Sequence, residues 1–524
     1  MPPAPEAAPE MLPPRDHDVG RWVEAHARHR PHALAWADDH RRCDFATAAR
    51  RIERLSGWFA QHGVAEGDRI AVWLGNRGAT LEAVFAAARL GAVVLPVNAR
   101  LTAEEVAFQL SDCRPSVVLV ERDWAARATR AISAAPGCAP HGLHAGGADD
   151  AYDAALAPAP PTPARTSCSP DDAVLLMYTS GTTGKPKGAL LPLRKTLYKC
   201  LNAERYFGIS ANDRVLVVAP LFHSLGLQIL ALPAIFGGAG LVIQEGFDAT
   251  RVWRSIEDER VTYYGGVPTM HQRLLDALER GAPLTAPPDS LRFAFTAGAA
   301  APSELIQAYH ARGLAMMQGY GQTETSILTC LDSASTLTKT GSVGRPVFHA
   351  EVRLVDPQGL DAPPSEWRDV NVGEVGEIVV AGPITMLGYW ERPEANAETL
   401  RGRWLRTGDL ATRDADFDVT LVGRAREMYI SGGENVYPAE VEATLVEHPD
   451  VHEAAVVAVP DETWGEVGIA FVAPSPGGAV VADDVSSWLA SRLAGYKQPR
   501  VIHVVASLPR TASGKVQKHR LPLA

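Results

Sequence analysis

Short, continuously apolar runs recur along the chain, separated by longer segments whose apolar positions return every three to four residues. The runs at 69–74, 92–97 and 116–121 predict strands buried on both faces, and 81–90 predicts a helix between the first two. Thr102 and Glu105 have the spacing of a capping box, which opens a helix running to 110. The same alternation returns further on. Strands are expected at 173–177, 215–219, 240–244 and 261–265, with helices at 225–236 and 249–259. Strands spaced by helices imply mainly parallel sheets covered on both faces, here in two α/β units. Pro158, Pro160, Pro161, Pro163 and Pro170 lie in a small-residue stretch that reads as the connector between those units. After about 423 the texture changes to a small α+β unit, with strands at 454–458, 468–472 and 501–505 and a helix near 484–493. No short repeat is evident.

Residues 215–244 contain no Asp, Glu, Lys or Arg, a length that could cross a membrane. Pro220, Pro233, His223, Gln228, Gly237, Gly238 and Gly240 break the run into shorter pieces, so a buried α/β core is the reading and no membrane span is expected. At 524 residues the chain needs more than one domain, and 46% hydrophobic with 21% charged residues is globular composition. The formal charge of −11 disfavours nucleic acid as a partner. Cys43, Cys113, Cys138, Cys168, Cys200 and Cys330 are scattered without a C-x-x-C pair, which fits free thiols in a cytoplasmic protein. The start, MPPAPEAAPEMLPP, has no apolar core of a signal peptide and reads as a disordered leader over 1–14.

Charge becomes informative locally. Residues 185–199 hold five basic residues and no acid, and 485–524 hold Arg492, Lys497, Arg500, Arg510, Lys515, Lys518 and Arg520 with no acid. Each is either a solvated basic face or ground for a polyanionic ligand. The first includes the densest chemistry in the chain, Tyr178-Thr179-Ser180-Gly181-Thr182-Thr183-Gly184-Lys185-Pro186-Lys187-Gly188, directly after an apolar strand. Glycines let backbone approach a ligand, and N–H groups, hydroxyls and lysines all suit phosphate oxygens. It is not a Walker A loop, because two residues rather than four separate Gly181 from Gly184 and Pro186 follows Lys185.

These eleven residues resemble the phosphate-binding signature of the adenylate-forming superfamily. Further matches follow in the family's order: Gly319-Tyr320-Gly321-Gln322-Thr323-Glu324, Thr407-Gly408-Asp409, Gly423-Arg424-Ala425-Arg426-Glu427, the segment Ser431 to Pro438 with Glu440, and Pro509 to Lys515. The resemblance implies an α/β fold: a large N-terminal domain (15–424) of stacked, mainly parallel α/β subdomains with a small barrel-like β part. A hinge at 425–427, centred on Arg426, would join it to a small mobile α+β domain (428–524).

The resemblance implies an ATP site of Thr179, Ser180, Gly181, Thr182, Thr183, Gly184, Lys187, Gly298, Ala299, Ala300, Gly319, Tyr320, Gly321, Thr323, Asp409, Arg424 and Lys515. Tyr320 offers a flat face for a purine, and Asp409, placed in a turn after a strand at 404–406, can accept ribose hydroxyls. Glu324 with Thr183 would hold Mg²⁺. Lys515 would stabilise charge during attack on phosphorus, and His223 would gate the acid pocket. Alone, each is also what an ordinary turn or surface residue would be. Val267, Thr296, Gly298, Gln318, Gly319 and Ile327 are candidates to line the acid pocket, a set without Arg or Asp for a second charge, which favours a hydrophobic or aryl monocarboxylic acid. Gly432, Gly433, Tyr496 and Lys497 are implied on the coenzyme A path.

The chain departs from the family pattern at Leu193-Arg194-Lys195, where members often carry histidine, at Arg426, commonly Lys or Asp, at Asp416-Phe417-Asp418, which lacks a turn glycine, and at Arg510. The implied activity is an AMP-forming acid–CoA ligase using ATP, Mg²⁺ and coenzyme A, as monomer or homodimer. The alternative is a ligase that loads a carrier-protein phosphopantetheine.

Overall fold

The computed structural model describes residues 18–145, 151–179, 186–281, 288–298, 301–431, 434–475, 478–490, 492–510 and 516–522. The leader, Ser180 to Lys185, Ala299, Ala300, Gly432, Gly433 and Lys515 lie outside them. The described residues form three sheets.

The first has seven strands, in the order Gly388–Tyr389, Lys187–Pro192, Ala173–Thr179, Val93–Pro96, Arg69–Trp73, Val117–Glu121 and His141–Ala145. Its last five strands are parallel and the first two antiparallel. The capping box forms: Thr102 Oγ1 accepts from the Glu105 N–H, and the Glu105 carboxylate accepts from the Thr102 N–H at 2.8 Å. Between Arg69–Trp73 and Val93–Pro96 runs the alanine-rich helix Gly78–Leu90, buried along almost its whole length. Small side chains are what let a helix be covered on all sides.

The second sheet carries a parallel half, in the order Met316–Gln322, Phe293–Thr296, Tyr263–Gly266, Arg214–Val217, Gly240–Ile243 and Leu34–Ala37. Beyond Met316–Gln322 it continues as antiparallel strands: Ser326–Leu331, Ser342–Pro346, Val419–Arg424, Trp404–Arg413, Gly376–Ala381 and Glu351–Val355. The barrel-like part expected from the resemblance is this antiparallel extension. The charge-free run 215–244 is buried within the parallel half, and no helix among the described residues is long and apolar enough to cross a membrane. Its helix opens as a π-helix, Leu225–Ala231, before continuing as Leu232–Phe236.

The proline-rich connector does not divide two units. The strands on either side of it, His141–Ala145 and Ala173–Thr179, belong to the same first sheet. It is also firmly docked. The Thr162 N–H donates to Glu53 O, the Arg165 N–H donates to Arg89 O at 2.9 Å, and the Arg89 guanidinium donates to Thr162 O at 3.1 Å. Proline removes donors from this segment, so the bonds it does make come from its few N–H groups and from arginines that reach across. The first described strand, Leu34–Ala37, likewise sits in the second sheet, stitching the start of the chain to its middle. Trp22 packs between the two units, its ring 6.5 Å from Phe85 and edge-on to Phe236 at 4.9 Å.

The third sheet is the small C-terminal domain: Glu434–Val436, Tyr429–Ser431, Gly465–Pro474 and Val451–Asp461 antiparallel, with Val501–Val504 added parallel. Helices Pro438–Val446 and Ala482–Ala490 close its core through Val441, Leu445 and Val485 on Val456 and Val472.

Helix Phe45–Gln61 meets the connector at Gly57, where a Cβ would lie 1.8 Å from the backbone oxygen of Pro160. Gly57→Ala should cost about 1–3 kcal/mol through overpacking against immovable backbone. It should show as a lower thermal midpoint together with faster proteolytic cleavage near 158–163.

Candidate active site

The register of the parallel half aligns the expected pocket residues at the carboxyl ends of neighbouring strands. Gly266 pairs with Thr296, and Thr296 with Gln318. Val267 follows the first strand and caps the helix Pro268–Glu279, and a Cβ on Gly298 would sit 3.5 Å from Val267 Cγ1. Gly319 packs flat on Phe295, with 2.8 Å from its would-be Cβ to the ring. In open α/β sheets this end is where ligands bind. Thr296 Oγ1 is buried with no hydrogen-bond partner among the described residues. His271 supports the row from beneath, its ring within 3.1 Å of Phe295 O and 3.2 Å of the Tyr309 hydroxyl.

Met316–Gln322 is the last parallel strand and turns back into Ser326–Leu331 through a three-residue loop. A Cβ on Gly321 would lie 1.8 Å from Ser326 O, so only glycine permits this approach. The Gln322 N–H donates to Thr325 Oγ1 at 3.1 Å and the Thr325 N–H to Gln322 O at 3.2 Å. Ser326 closes the turn with a left-handed backbone, φ 61°.

That hairpin sends its side chains two ways. On one side the Tyr320 hydroxyl donates to Asp409 Oδ2 at 2.5 Å, and Gln322 Nε2 donates to the same oxygen at 2.6 Å. The Arg424 guanidinium pairs with Asp409 Oδ1 at 2.6 Å. Burial, and then the neighbouring Asp409 carboxylate, hold the Tyr320 phenol well above its ordinary value. Asp409 is not in a turn after a short strand. It lies inside the long strand Trp404–Arg413, directly opposite Arg424, with Gly408 beside it in a left-handed conformation. The local sequence hid this because the strand runs on past a glycine, a residue that normally weakens one.

On the other side Glu324 Oε1 accepts from the Tyr389 hydroxyl at 2.9 Å and from Thr179 Oγ1 at 3.2 Å. Lys187 Nζ stands 5.5 Å over the Tyr389 ring. The Glu324 carboxylate is thus buried and oriented, with Oε2 taking no hydrogen bond from the described residues. An oriented carboxylate oxygen beside hydroxyls is the donor chemistry a Mg²⁺ ion takes, so the residues present fit that ion. Thr323 is tied to the next strand end: Ser224 Oγ donates to Thr323 Oγ1 at 3.3 Å.

His223 precedes Ser224 at that strand end. Burial, and then Arg100, push its imidazole down to about 4, and its Nε2 is buried without a partner among the described residues. The loop 220–223 is clamped from the first sheet: the Leu221 N–H donates to Asn76 Oδ1 at 2.8 Å, and Asn76 Nδ2 donates to Ala219 O at 3.0 Å. Tyr389 and Asn76 carry no signal in spacing or composition, because both act across contacts hundreds or scores of residues away. Gln322 lay inside a recognised motif without an assigned contact.

The two basic segments divide their described cations among different surroundings. Lys195 and Lys199 lie on helix Leu193–Phe207 and turn inward, both buried, while Arg194 pairs with Asp171 at the surface. Around the C-terminal domain Lys497 bonds Glu440, Arg510 bonds Glu453, and Lys518 bonds Glu427 and Glu442, each at 2.6–2.7 Å. Acids absent from the local sequence arrive from other elements and pair these three cations. Arg500 lies over the Trp464 ring at 5.5 Å. Arg426 stands 3.9 Å from Glu398 of the large domain.

The sequence model of the AMP-binding enzyme family matches residues 23–390, and that of the AMP-binding enzyme C-terminal domain matches 440–515. The chain is 41% identical to a feruloyl-CoA synthase from an Amycolatopsis species over 506 residues, covering 96% of this chain and 98% of that one. It is 37% identical to an indoleacetate–CoA ligase of Aromatoleum aromaticum, over 96% and 97% of the two chains. The o-succinylbenzoate CoA synthetase of Bacillus subtilis, solved with its acyl-adenylate intermediate, superposes with a TM-score of 0.85 at 31% identity, over 96% and 98% of the chains. The same enzyme solved with ATP and magnesium ion gives 0.84 at 30%.

Burial also holds the His271 imidazole down to about 4. The unfolded chain takes up a proton near 6.5 that the folded chain refuses until about 4, so stability is full above about 6.5 and is lost as pH falls toward 4. His271→Gln should flatten the fall in thermal midpoint between pH 6.5 and 4.5, removing up to about 1.4 kcal/mol per pH unit of slope.

Proposed function

The chain belongs to the AMP-binding, adenylate-forming enzyme family, and from that premise we propose the residue roles and substrate class of its acid–CoA ligase reaction. The enzyme activates a carboxylic acid with ATP and passes the acyl group to coenzyme A. The observation that carries the role assignment is the convergence on one hairpin, 316–331, of Asp409, Arg424, Tyr389, Thr179 and Ser224 from distant parts of the sequence.

Asp409 accepts the ribose hydroxyls of ATP, and Arg424, already paired with it, holds that carboxylate aimed. Tyr320 anchors the same carboxylate through its hydroxyl while its ring stays against the nucleotide side. The donors of 180–184, with Thr179 and Lys187 at the edges, take the phosphates. Glu324 and Thr183 would hold Mg²⁺, which when bound would neutralise phosphate charge. An oxygen of the substrate carboxylate forms a bond to the α-phosphorus, and pyrophosphate leaves with the electrons of the broken P–O bond. Lys515 stabilises the charge that develops on those oxygens. Rotation about Arg426 then withdraws Lys515. The coenzyme A thiol, losing its proton, bonds to the acyl carbon, and AMP leaves. Gly432, Gly433, Tyr496 and Lys497 lie along the thiol's path. His223, neutral across the working pH range, gates the acid pocket with its unpaired Nε2.

An aryl monocarboxylic acid is the substrate class. The mostly apolar pocket wall supports this, as do the aromatic acids in the names of the relatives, feruloyl, indoleacetate and o-succinylbenzoate. Free coenzyme A is the acceptor, in the cytoplasm, where six cysteines that form no disulfide stay reduced.

Acid-dependent exchange of labelled pyrophosphate into ATP tests the first half. A panel of aryl acids should support exchange, and Lys515→Ala should lower it by about 10²–10³-fold; undiminished exchange would remove the role given to Lys515. Glu324→Gln should raise the Mg²⁺ concentration needed for half-maximal exchange while leaving the thermal midpoint within a few degrees. Thioester formation with holo-carrier protein but not with free coenzyme A would overturn the choice of acceptor.

A further inference from the structure

Helix Leu193–Phe207 places two lysines, one turn apart, inside the large domain. Lys195 is 0% exposed and Lys199 5%. Neither forms an ion pair with a carboxylate among the described residues. Lys195 Nζ donates to Ser326 Oγ at 2.6 Å, which pins the left-handed residue that closes the active-site hairpin. That bond gives Lys195 a structural task. Lys199 has none of comparable quality. Its Nζ reaches only Gln228 Oε1, at 3.5 Å, and Lys195 competes for the same oxygen at 3.5 Å.

An amine buried with so poor an acceptor is costly, and proteins rarely retain one without use. Burial pushes the Lys199 ammonium down to about 7, and burial and the neighbouring Lys199 push Lys195 well below its ordinary value. The helix therefore presents an amine that both donates and accepts a proton near neutrality.

Lys199 borders a cavity with Gln228, Ser326, Ile327, Ile229 and Phe207. Two of these connect it to the acid pocket. Ile327 is itself a pocket candidate, paired with Gly321 across the hairpin. Gln228 lies one turn beyond Ser224 on the π-helix and donates to Ser224 Oγ at 3.1 Å, next to His223. The cavity thus borders the expected pocket wall at Ile327 and the π-helix at Gln228. About 20 Å³ of it is open to a water-sized sphere. That is room for one hydroxyl group, the size of a single buried water, and not for a hydrated carboxylate.

We propose that Lys199, backed by Gln228, is a specificity-determining residue that selects an aryl acid bearing a phenolic hydroxyl at the end opposite its reacting carboxylate. This rests on the aryl-acid reading above. The phenol donates to or accepts from the Lys199 amine, satisfying a buried donor that the fold leaves badly placed. An acid lacking the hydroxyl leaves it so, and a site built to bond a hydroxyl rejects the analogue without one. The pocket candidates read from sequence contain no Arg or Asp, and this proposal adds a lysine to them. The lysines were visible in the sequence, but their inward direction was not.

The test uses the full chain and paired acids: benzoate, phenylacetate and cinnamate, each with and without a 4-hydroxyl, together with 4-methoxy and 4-carboxy cinnamates. Pyrophosphate release gives kcat and KM for wild type, Lys199→Met and Lys199→Gln. In at least one pair wild type should prefer the 4-hydroxy acid by about tenfold or more in kcat/KM, chiefly through KM. Methoxy and carboxy compounds should rank below it. Lys199→Met should bring the hydroxy-to-unsubstituted ratio close to one, and Lys199→Gln, which keeps a donor and an acceptor, should restore part of it. The ratio is internally controlled, since partial unfolding lowers both members of a pair alike. Equal kcat/KM within every pair in wild type, a preference that survives in Lys199→Met, or a preferred 4-carboxy acid would each overturn the proposal. If no aryl acid is turned over, the aryl-acid reading falls and takes this assignment with it, an outcome distinct from turnover without discrimination.

Discussion

The hairpin between Met316–Gln322 and Ser326–Leu331 is the constraint on which the site depends. It marks the point where a parallel sheet becomes antiparallel, and the change of direction requires a turn tighter than side chains normally permit. Gly321 makes room for Ser326 O, and Ser326 accepts a left-handed backbone at a cost of about 1–2 kcal/mol. Lys195 holds the serine hydroxyl from behind. Because the turn is fixed, Tyr320 and Gln322 meet Asp409 on one side while Glu324 meets Thr179 and Tyr389 on the other. A looser loop would leave these six residues to find one another by chance, with the loss of order that this implies for a reacting geometry.

Charge follows the same logic of distant completion. The basic tail of the C-terminal domain is acid-free in sequence, yet Lys497, Arg510 and Lys518 are paired in space by Glu427, Glu440, Glu442 and Glu453. The basic stretch after the phosphate loop splits by helical phase, so that Arg194 faces Asp171 and solvent while Lys195 and Lys199 enter the core. Net charge and local charge runs therefore say little about where a polyanion binds. What matters is which cations the fold leaves without an acid.

Most strands of the two parallel sheets were legible because a strand buried on both faces must be apolar throughout, and little else in a soluble chain is. The capping box at Thr102 and Glu105 was legible because its bonds are local. The connector misled. Prolines mark a segment that cannot join a helix or ladder, and say nothing of whether its two ends return to the same sheet, as here they do. Asp409 misled for a related reason, since a glycine inside a strand reads as a turn. The opening π-turn at 225–231 left no trace in the apolar pattern. A Cβ on Gly226 would meet Pro220 O at 2.4 Å, a crowding that exists only once the loop has folded back.

By itself the sequence determined the fold class and the family, because strand burial, glycine geometry and the identity of chemical donors are properties of short segments. The tertiary structure alone decided which donors face which. Tyr389 reaches Glu324, Asn76 clamps the His223 loop, and Lys199 turns inward beside Gln228, through contacts between elements far apart in the chain. Direction of a side chain is set by helix phase and strand register against the rest of the core. No window of sequence contains that information.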